Sequence, residues 1–444
     1  MPQNLNLKYS VAVIIAFHGI REEHPMNKKF AHTNHETARA ERASACIKFG
    51  FMHDVSLFFH SNLSDYYIKI ISKKCHKYLY GVGTAVLLNF NHNFFPFSHI
   101  INSRMSVYQT ITVTITGAGG RIGYSLIPLI CDGSTFGPNA KIRLKLLEVS
   151  SQMLRLEGIK MEIQDCNYPN LSEIQITSEI SEAFTGSDVV VLLGGFPRLP
   201  GMERKDLIAK NVDIIKEHAE AIDKFSKKEV RVLVVANPAN TNCLVAATVA
   251  KSIPSTNFTC LTRLDEERLK NLISEKINSN RTSCVKSADI SNVCIFGNHS
   301  ATQVPSTENG SVNFGYTKSM LGEVLDAEWI HGEMATKVQQ RGAAVMNAQG
   351  ASSAMSAAAA ISKHLKDWLG PVVSADFFSM GVSSLNNPYG VPEDLFFSFP
   401  CRRLEEPGEY AIFPGIALTA ATLSKLALTS EELIAEKNDA FACL

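Results

Sequence analysis

The chain has 444 residues, which is long enough for two or three domains with buried cores. Its 43 basic and 43 acidic side chains cancel, and this balance argues against a nucleic-acid partner or an acidic membrane surface. The ten cysteines form no CxxC pair and no zinc-ligand spacing, so we expect reduced thiols and no metal site. No apolar run approaches the ~18 residues of a membrane-spanning helix, so we also expect no membrane partner.

Residues 1–104 differ in composition from the rest of the chain, and no helical or strand periodicity lasts for more than a few residues. Metal binding by the many histidines is one interpretation. An unstructured extension, or a mis-assigned start with Met105 as the functional first residue, is the favoured one. We therefore treat this segment as a poorly structured N-terminal extension of unknown role. The histidines of the segment are His18, His24, His32, His35, His53, His60, His76, His92 and His99.

The first periodic segment reads ITVTIT, then GAGGRIG, then an apolar-periodic stretch over Tyr124–Ile130. This order predicts a strand, a glycine turn and a helix, whose positive N-terminal end favours a pyrophosphate. Gly117, Gly120 and Gly123 match the looser G-x-x-G-x-x-G pattern. Ile122 stands where the strict dinucleotide fingerprint has its third glycine. The turn predicts a nucleotide site, although glycine turns also occur for tight packing alone.

A second predicted strand, Ile142–Val149, has Glu148 near its end. A carboxylate there accepts hydrogen bonds from both ribose hydroxyls and repels a 2′-phosphate, so it favours NAD over NADP as the cofactor. A surface glutamate without a function is the alternative.

Two further apolar strands are predicted at Asp188–Leu193 and Val230–Val235, with helical stretches between strands. This alternation predicts an α/β fold with a doubly wound parallel sheet. Ligands of such sheets bind beyond the carboxyl ends of the strands. Gly117, Glu148, Gly195–Arg198 and Asn237 are therefore expected to share one crevice.

Two later segments carry candidate acid–base residues. Asp265 and Arg268 would share one face of a helix that starts near Leu264, and His299 follows the apolar strand VCIF. Histidine is suited to take a hydroxyl proton near neutral pH, and a carboxylate such as Asp265 would fix its tautomer. A structural histidine is the alternative, because the sequence does not show that the two side chains meet.

Arginines recur around the expected crevice. Arg198 lies on a loop in PRLPGMERKDL, Arg204 lies near a helix start, and Arg268 is the third. Their planar guanidinium groups match carboxylates, and three of them in one pocket suit a dicarboxylic acid. The loop Gly195–Gly201 is expected to close over the substrate. Alternatively, Arg204 pairs with an acidic neighbour on a solvated helix face.

Six ordered motifs carry a specific resemblance: PRLPGMERKDL, NPANTNC, LTRLDEERLK, GNHSATQVP, SSAMSAA and NPYGVPEDL. From about residue 108 to the C-terminus the chain resembles the lactate/malate dehydrogenase family, nearest its cytosolic-type malate dehydrogenase branch. The resemblance implies a Rossmann-type doubly wound parallel sheet followed by an α+β catalytic domain. The expected domains are 1–104 (the extension), 105–263 (NAD binding) and 264–444 (substrate binding and dimerisation).

The resemblance also implies a homodimer that interconverts (S)-malate and oxaloacetate with NAD. His299 would accept the proton, and Asp265 would orient it. The substrate would be bound by Arg198, Arg204, Asn237 and Arg268. In related lactate dehydrogenases a glutamine takes the place of Arg198, so this arginine favours a dicarboxylic acid. The implied cofactor contacts are Gly117, Ala118, Gly119, Gly120, Arg121, Ile122, Gly123, Glu148, Asn211, Val235, Ala236 and Asn237.

Two alternatives stay open: a lactate-type 2-hydroxy-acid dehydrogenase, and a catalytically silent protein that reuses the fold.

The interval from Asp265 to His299 is about six residues longer than the family's, with NSNRTS (Asn278–Ser283) as the candidate insertion. We expect a cytoplasmic protein, with organellar import through the extension as the alternative. The last helix is expected around TSEELIAEKNDAFA, with Thr429 and Glu432 as a capping box.

Overall fold

The computed structural model describes residues 44–48, 55–62, 65–72, 75–80, 110–196, 204–279, 284–372 and 374–444. The chain divides into two units, Met1–Met105 and Ser106–Leu444. In the first unit, four strands that the sequence did not predict form an antiparallel sheet in chain order. They are β1 (Ser44–Lys48), β2 (Val55–Asn62), β3 (Asp65–Ser72) and β4 (Cys75–Tyr80).

The second unit begins with six parallel strands. In chain order they are β5 (Thr110–Thr116), β6 (Lys141–Leu147), β7 (Leu171–Thr177), β8 (Val189–Leu192), β9 (Arg231–Val234) and β10 (Phe258–Cys260). Their spatial order is β7-β6-β5-β8-β9-β10, and all neighbouring pairs are parallel. The order reverses at β5, as in a doubly wound nucleotide-binding sheet. The predicted fold class is confirmed.

Five helices connect these strands. They are α1 (Arg121–Cys131), α2 (Met153–Cys166), α3 (Ile180–Phe184), α4 (Arg204–Phe225) and α5 (Ala239–Val249). Val191 of β8 packs in one core with Leu126 of α1, whereas its neighbour Val190 packs in a second core with Ile215 of α4. Successive side chains of the strand therefore point to opposite buried faces, which explains its unbroken apolar sequence.

The rest of the unit adds helices and short antiparallel strands. Its helices are α6 (Arg263–Ser279), α7 (Leu321–Val324), α8 (Ala327–Trp329), α9 (Ala335–Gln349), α10 (Met355–Leu369) and α11 (Ala420–Phe441). Its strands are β11 (Ile290–Ser291), β12 (Cys294–Phe296), β13 (Val304–Ser306), β14 (Ser311–Asn313), β15 (Lys318–Met320), β16 (Phe378–Ser383), β17 (Phe396–Arg403) and β18 (Tyr410–Ile412). Strand β16 pairs antiparallel with β10, so β16, β17 and β18 extend the parallel sheet to nine strands.

The predicted capping box of the last helix is wrong. Helix α11 begins at Ala420, where the hydroxyl of Thr419 accepts a hydrogen bond from the backbone of Thr422. Thr429 and Glu432 therefore lie inside the helix rather than at its start. The capping spacing occurred by chance within a longer helical stretch, and these two side chains take part in tertiary contacts instead.

Candidate active site

The glycine turn between β5 and α1 lies against the end of β8. Gly117 has a φ of +62°, and a Cβ atom on it would lie 2.8 Å from the backbone of Gly194. Gly120 caps α1, whose first turn contains no acidic residue. The helix therefore presents its N-terminal backbone amides in a setting that favours an anion. The predicted nucleotide turn has the backbone geometry that a phosphate requires.

Glu148 follows β6 and lies beside this turn. Its Oε2 atom accepts a hydrogen bond from the backbone of Gly119 at 3.0 Å, and Oε1 accepts one from Val149 at 3.1 Å. A Cβ atom at Gly119 would stand 3.2 Å from Oε2. A carboxylate held at this edge fits the ribose of NAD and opposes a 2′-phosphate. These residues fit the expected cofactor.

The other residues of the turn have separate surroundings. Ala118 is fully buried, and Ile122 packs against the core. Gly123 presses on the backbone of Ala118, where an added Cβ atom would lie 2.5 Å from the carbonyl oxygen. The exposed Arg121 donates from Nη1 to the carbonyl oxygen of Ser352 at 3.1 Å.

Asn211 is buried on α4 and holds the loop that follows β8. Its Oδ1 atom accepts from the backbone of Phe196 at 2.8 Å. Its amide nitrogen donates to the carbonyl oxygens of Phe196 and Leu207, at 3.3 and 3.0 Å. The structure therefore places this predicted cofactor contact under the start of the loop.

The segment after β9 bends at the same edge. The backbone amides of Val235 and Ala236 both donate to Leu192 at 3.0 Å, and Asn237 is exposed at a cis bond to Pro238. The predicted crevice residues Gly117, Glu148, Gly195 and Asn237 thus all follow carboxyl ends of adjacent parallel strands.

His299 and Asp265 meet. The His299 Nδ1 atom lies 2.5 Å from Asp265 Oδ2, with Asp265 in the first turn of α6 and His299 after β12. The Asp265 side chain is fully buried, whereas 20% of the His299 side chain is exposed. Asp265 is thus shielded from solvent, whereas the His299 imidazole is accessible to a substrate.

Charge and burial act in opposite directions on this pair. Burial alone would lower the pKa of His299, but the Asp265 carboxylate outweighs burial and raises the pKa above its usual value. Burial would raise the pKa of Asp265, but His299 and Arg268 lower it below its usual value. The aspartate therefore stays ionised, and the imidazole holds a proton more readily than an isolated histidine does.

Arg268 joins the same cluster. Its Nη1 atom donates to Asp265 Oδ1 at 3.0 Å, and Nη2 donates to Ser353 Oγ at 3.3 Å. With Ser353 and Ser356 it lines a cavity of about 500 Å³ between α6 and α9. Sequence reasoning missed Ser353, because nothing in the SSAMS stretch shows which serine faces the arginine.

The other two arginines lie in or next to a segment outside the described residues. Arg198 and the surrounding residues 197–203 lie outside the described residues, as does the expected loop closure. Arg204 begins α4 as predicted, but its side chain is also outside them. Of the three proposed substrate arginines, Arg268 has its side chain within the described residues.

Sequence reasoning also missed two amides beside the pair. Asn240, buried on α5, accepts a hydrogen bond at Oδ1 from the His299 backbone at 2.9 Å, and its Nδ2 atom donates to the carbonyl oxygen of Phe396 at 3.0 Å. The buried side chain of Gln303 donates from Nε2 to the carbonyl oxygen of Ser300 at 3.0 Å, and it helps to lower the pKa of the nearby Asp265 carboxyl group. Asn240 therefore fixes the backbone of His299, and Gln303 helps to keep the Asp265 carboxylate ionised.

Across the described portion of the chain, no group of three or more His, Cys, Asp or Glu side chains is arranged to hold a metal ion. Within that same portion, no helix is both long enough and apolar enough to cross a membrane.

Residues 111–444 are similar to proteins of one enzyme family. A family model described as "lactate/malate dehydrogenase, NAD binding domain" matches residues 111–259, and "lactate/malate dehydrogenase, alpha/beta C-terminal domain" matches residues 262–444. "Malate dehydrogenase, cytoplasmic" of Rattus norvegicus is 45% identical over 338 residues, which are 76% of this chain and 98% of that protein. The protein of the same name from Medicago sativa is 43% identical over 335 residues, covering 75% of this chain and 98% of its own length.

Two solved structures align with a TM-score of 0.70. The malate dehydrogenase of Naegleria fowleri is 37% identical, and the alignment covers 76% of this chain and 99% of that chain. The lactate dehydrogenase of Trichomonas vaginalis in complex with NADH and oxamate is 31% identical, and the alignment covers 75% of this chain and 98% of that chain.

Proposed function

The chain belongs to the lactate/malate dehydrogenase family, and from this premise we propose that it interconverts (S)-malate and oxaloacetate with NAD. The observation that carries the proposal is the 2.5 Å contact of His299 with Asp265, beside Arg268. An imidazole that is hydrogen-bonded to a carboxylate can accept the hydroxyl proton of a hydroxy acid. A neighbouring guanidinium group can bind the carboxylate of the same substrate. The relatives named above as malate dehydrogenases support the choice of malate.

In the proposed reaction, neutral His299 accepts the hydroxyl proton of malate at Nε2, because its Nδ1 atom faces Asp265. The Asp265 carboxylate stabilises the resulting imidazolium, consistent with its effect on the histidine pKa. The glycine turn and Glu148 would hold NAD, which would supply the acceptor for the hydride that leaves C2 of the substrate. In the reverse direction the imidazolium returns the proton to the carbonyl oxygen of oxaloacetate.

The substrate carboxylates would be bound by Arg198, Arg204 and Arg268, with Asn237 at the cofactor side. The Arg268 guanidinium group is held by Asp265 and Ser353, so its orientation is fixed before the substrate arrives. A dicarboxylate supplies the negative charge that several arginines near one crevice require.

Residues 105–263 would bind the cofactor, and residues 264–444 would carry the catalytic side chains. Gly117–Gly123 would approach the pyrophosphate, Glu148 the ribose, and Val235–Asn237 the nicotinamide side. Because its amide groups bond to Phe196 and Leu207, Asn211 would act by holding the loop beside the cofactor.

The direct test follows NADH oxidation by the purified chain with oxaloacetate, pyruvate and 2-oxoglutarate side by side. We expect kcat/KM for oxaloacetate to exceed the value for pyruvate by orders of magnitude. A preference for pyruvate would favour the lactate-type alternative instead. Inactivity with all three acids, in a protein that still binds NADH, would favour the catalytically silent alternative.

Assembly and location belong to the same proposal. A homodimer is supported by exposed apolar side chains on α2, in the expected NAD-binding domain (Leu154, 88% exposed), and at the start of α10, in the expected dimerisation domain (Met355, 76% exposed). Light scattering after size exclusion would measure the mass of the assembly.

A cytoplasmic location is supported by the names of the plant and rat relatives. Imaging of tagged chains with and without residues 1–104 would distinguish it from organellar import.

A further inference from the structure

One face of α11 is polar and buried. Thr429, Glu432 and Glu436 lie three and four positions apart, so they share one side of the helix; we call them the inner stripe. Thr429 is fully buried and Glu436 is 3% exposed. Buried hydroxyl and carboxylate groups are costly unless they are hydrogen-bonded, so their partners identify what the stripe holds.

The main partner is Asn298, the residue immediately before His299. Its backbone amide donates to Thr429 Oγ1 at 3.0 Å. Its Nδ2 atom donates to Glu432 Oε2 at 3.0 Å and to Glu436 Oε1 at 2.8 Å. Both the backbone and the side chain of this asparagine are therefore fixed by one helix.

The stripe also holds residues on either side of Asn298. Glu432 Oε2 accepts from the hydroxyls of Ser300 and Thr302, each at 2.5 Å. On the other side, Gly297 has a φ of +97°, and a Cβ atom there would lie 2.6 Å from Thr429. The helix thus packs directly on the segment 297–302, which carries His299 in its middle.

A second connection runs to the nucleotide-binding side. Glu436 Oε2 accepts from the hydroxyl of Thr241 at 2.5 Å. Thr241 follows Asn240 on α5, and Asn240 Oδ1 accepts from the His299 backbone at 2.9 Å. The backbone of His299 is therefore held between α5 and the inner stripe, and Glu436 ties these two supports together.

We propose that Thr429, Glu432 and Glu436 are positioning residues, whose task is to fix the segment 297–302 so that the His299 imidazole meets Asp265 and the substrate. This inference rests on the proposed function, because it presumes that His299 transfers the proton. Displacing a reacting group by about 1 Å lowers the reaction rate by up to ~100-fold. The stripe acts through His299 and touches neither substrate nor cofactor.

The test compares Thr429→Val with Thr429→Ser. Valine keeps the shape of threonine but removes the hydroxyl that accepts from Asn298, whereas serine keeps the hydroxyl. We expect the valine variant to lose roughly tenfold in kcat with little change in the KM for NADH. The serine variant should stay close to the unsubstituted protein. Glu431→Gln, at an exposed neighbouring position on the same helix, is the matched control.

A pH profile separates positioning from simple loss of stability. Among the residues that the structure describes, the charged groups that face the imidazole are Asp265 and Arg268. If Thr429→Val loosens the contact between His299 and Asp265, the pKa of His299 falls. Malate oxidation needs neutral His299, so the acid limb of its pH profile, over which activity rises with pH, then moves to lower pH. A purely structural role would leave that limb in place.

The outcomes are distinguishable from failure of the proposed function. Unchanged kcat and pH profile in Thr429→Val and Glu432→Gln, in a protein that His299→Asn inactivates, would overturn the positioning role alone. An active His299→Asn protein would overturn the proposed function. If Thr429→Val does not fold, as judged by NADH binding, Glu432→Gln at its half-buried position carries the same test.

Discussion

The Nδ1 atom of His299 lies 2.5 Å from Oδ2 of Asp265, although 34 positions separate them in the chain. A buried serine of β17 connects the segments that carry them. Ser398 Oγ hydrogen-bonds both Thr262 Oγ1, just before α6, and the carbonyl oxygen of Ile295 in β12, each at 2.7 Å. The start of α6 and the end of β12 are thus fixed to one strand, and this fixes the separation of the pair.

Replacement of His299 by asparagine should abolish turnover, because asparagine cannot take up a proton near neutral pH. We expect kcat to fall by roughly 10²–10⁴-fold, the usual contribution of a positioned general base. NADH binding, followed by fluorescence titration, should stay largely intact. His331→Asn changes an exposed histidine and serves as the control. A His299→Asn protein that still turns over well would show that another group moves the proton.

Replacement of Asp265 by asparagine should lower the rate and shift the pH dependence. Asp265 raises the pKa of His299, so its loss lowers that pKa. Malate oxidation uses neutral His299 and gains activity as pH rises through the pKa; oxaloacetate reduction uses the protonated form and loses activity there. Both limbs should therefore move to lower pH, and kcat should fall by up to ~10⁴-fold, as when a catalytic histidine loses its carboxylate partner.

The measurement is kcat/KM against pH in both directions. Asp439→Asn, an exposed position on α11, is the control for loss of one carboxylate. Limbs at unchanged pH would mean that Asp265 does not govern the titration of His299.

The parts of the fold that sequence predicted well are those with strong local patterns. The glycine turn and the apolar strand before it were located within a residue or two, because glycine spacing and β-branched runs are local properties. Strand β7 was not predicted, because it forms one edge of the nine-stranded sheet and its residues are mostly half-buried or exposed. Strand β10 was missed because it has three residues.

The site was predictable in its residue types but not in its contacts. The motif NPAN drew attention to Asn237, yet the amide that holds the His299 backbone is that of Asn240. Both asparagines are equally polar, and only the packing of α5 shows that the second one is buried. The meeting of His299 with Asp265 likewise depends on sheet topology, which residue spacing does not encode.

Replacement of Glu148 by serine should relax the preference for NAD. The change removes the carboxylate beside Gly119 that would accept from the ribose and repel a 2′-phosphate. A hydrogen bond to a charged group is worth about 1.5–3 kcal/mol, so the kcat/KM ratio of NADPH to NADH should rise roughly 10- to 100-fold. Glu157→Ser, at an exposed position on α2, is the control. An unchanged ratio would remove Glu148 from cofactor selection.

Replacement of Arg198 by glutamine should change substrate preference. Arg198 lies outside the described residues, so this expectation comes from the sequence motif alone. Removing one member of a buried charge pair costs about 2–5 kcal/mol, which corresponds to a loss of roughly 30- to 5,000-fold in kcat/KM for oxaloacetate. Pyruvate reduction should rise relative to it. Steady-state kinetics with both acids checks the prediction, and an unchanged ratio would exclude Arg198 from specificity.

Two glycine-to-alanine changes should have opposite effects on stability. At Gly123 a Cβ atom would lie 2.5 Å from the Ala118 carbonyl oxygen and 2.8 Å from its Cα. Backbone atoms give way only if the glycine turn moves, so we expect a loss of about 1–3 kcal/mol in the free energy of unfolding, together with weaker NADH binding.

At Gly158, inside α2, a Cβ atom would meet nothing within 4 Å. Alanine there should stabilise the protein by about 0.5–1 kcal/mol, because it restricts the unfolded chain and favours the helix. Thermal unfolding should therefore place Gly123→Ala below the unsubstituted protein and Gly158→Ala above it. Equal midpoints for the two variants would contradict the close packing of α1 on the glycine turn, and with it the geometry proposed for the pyrophosphate.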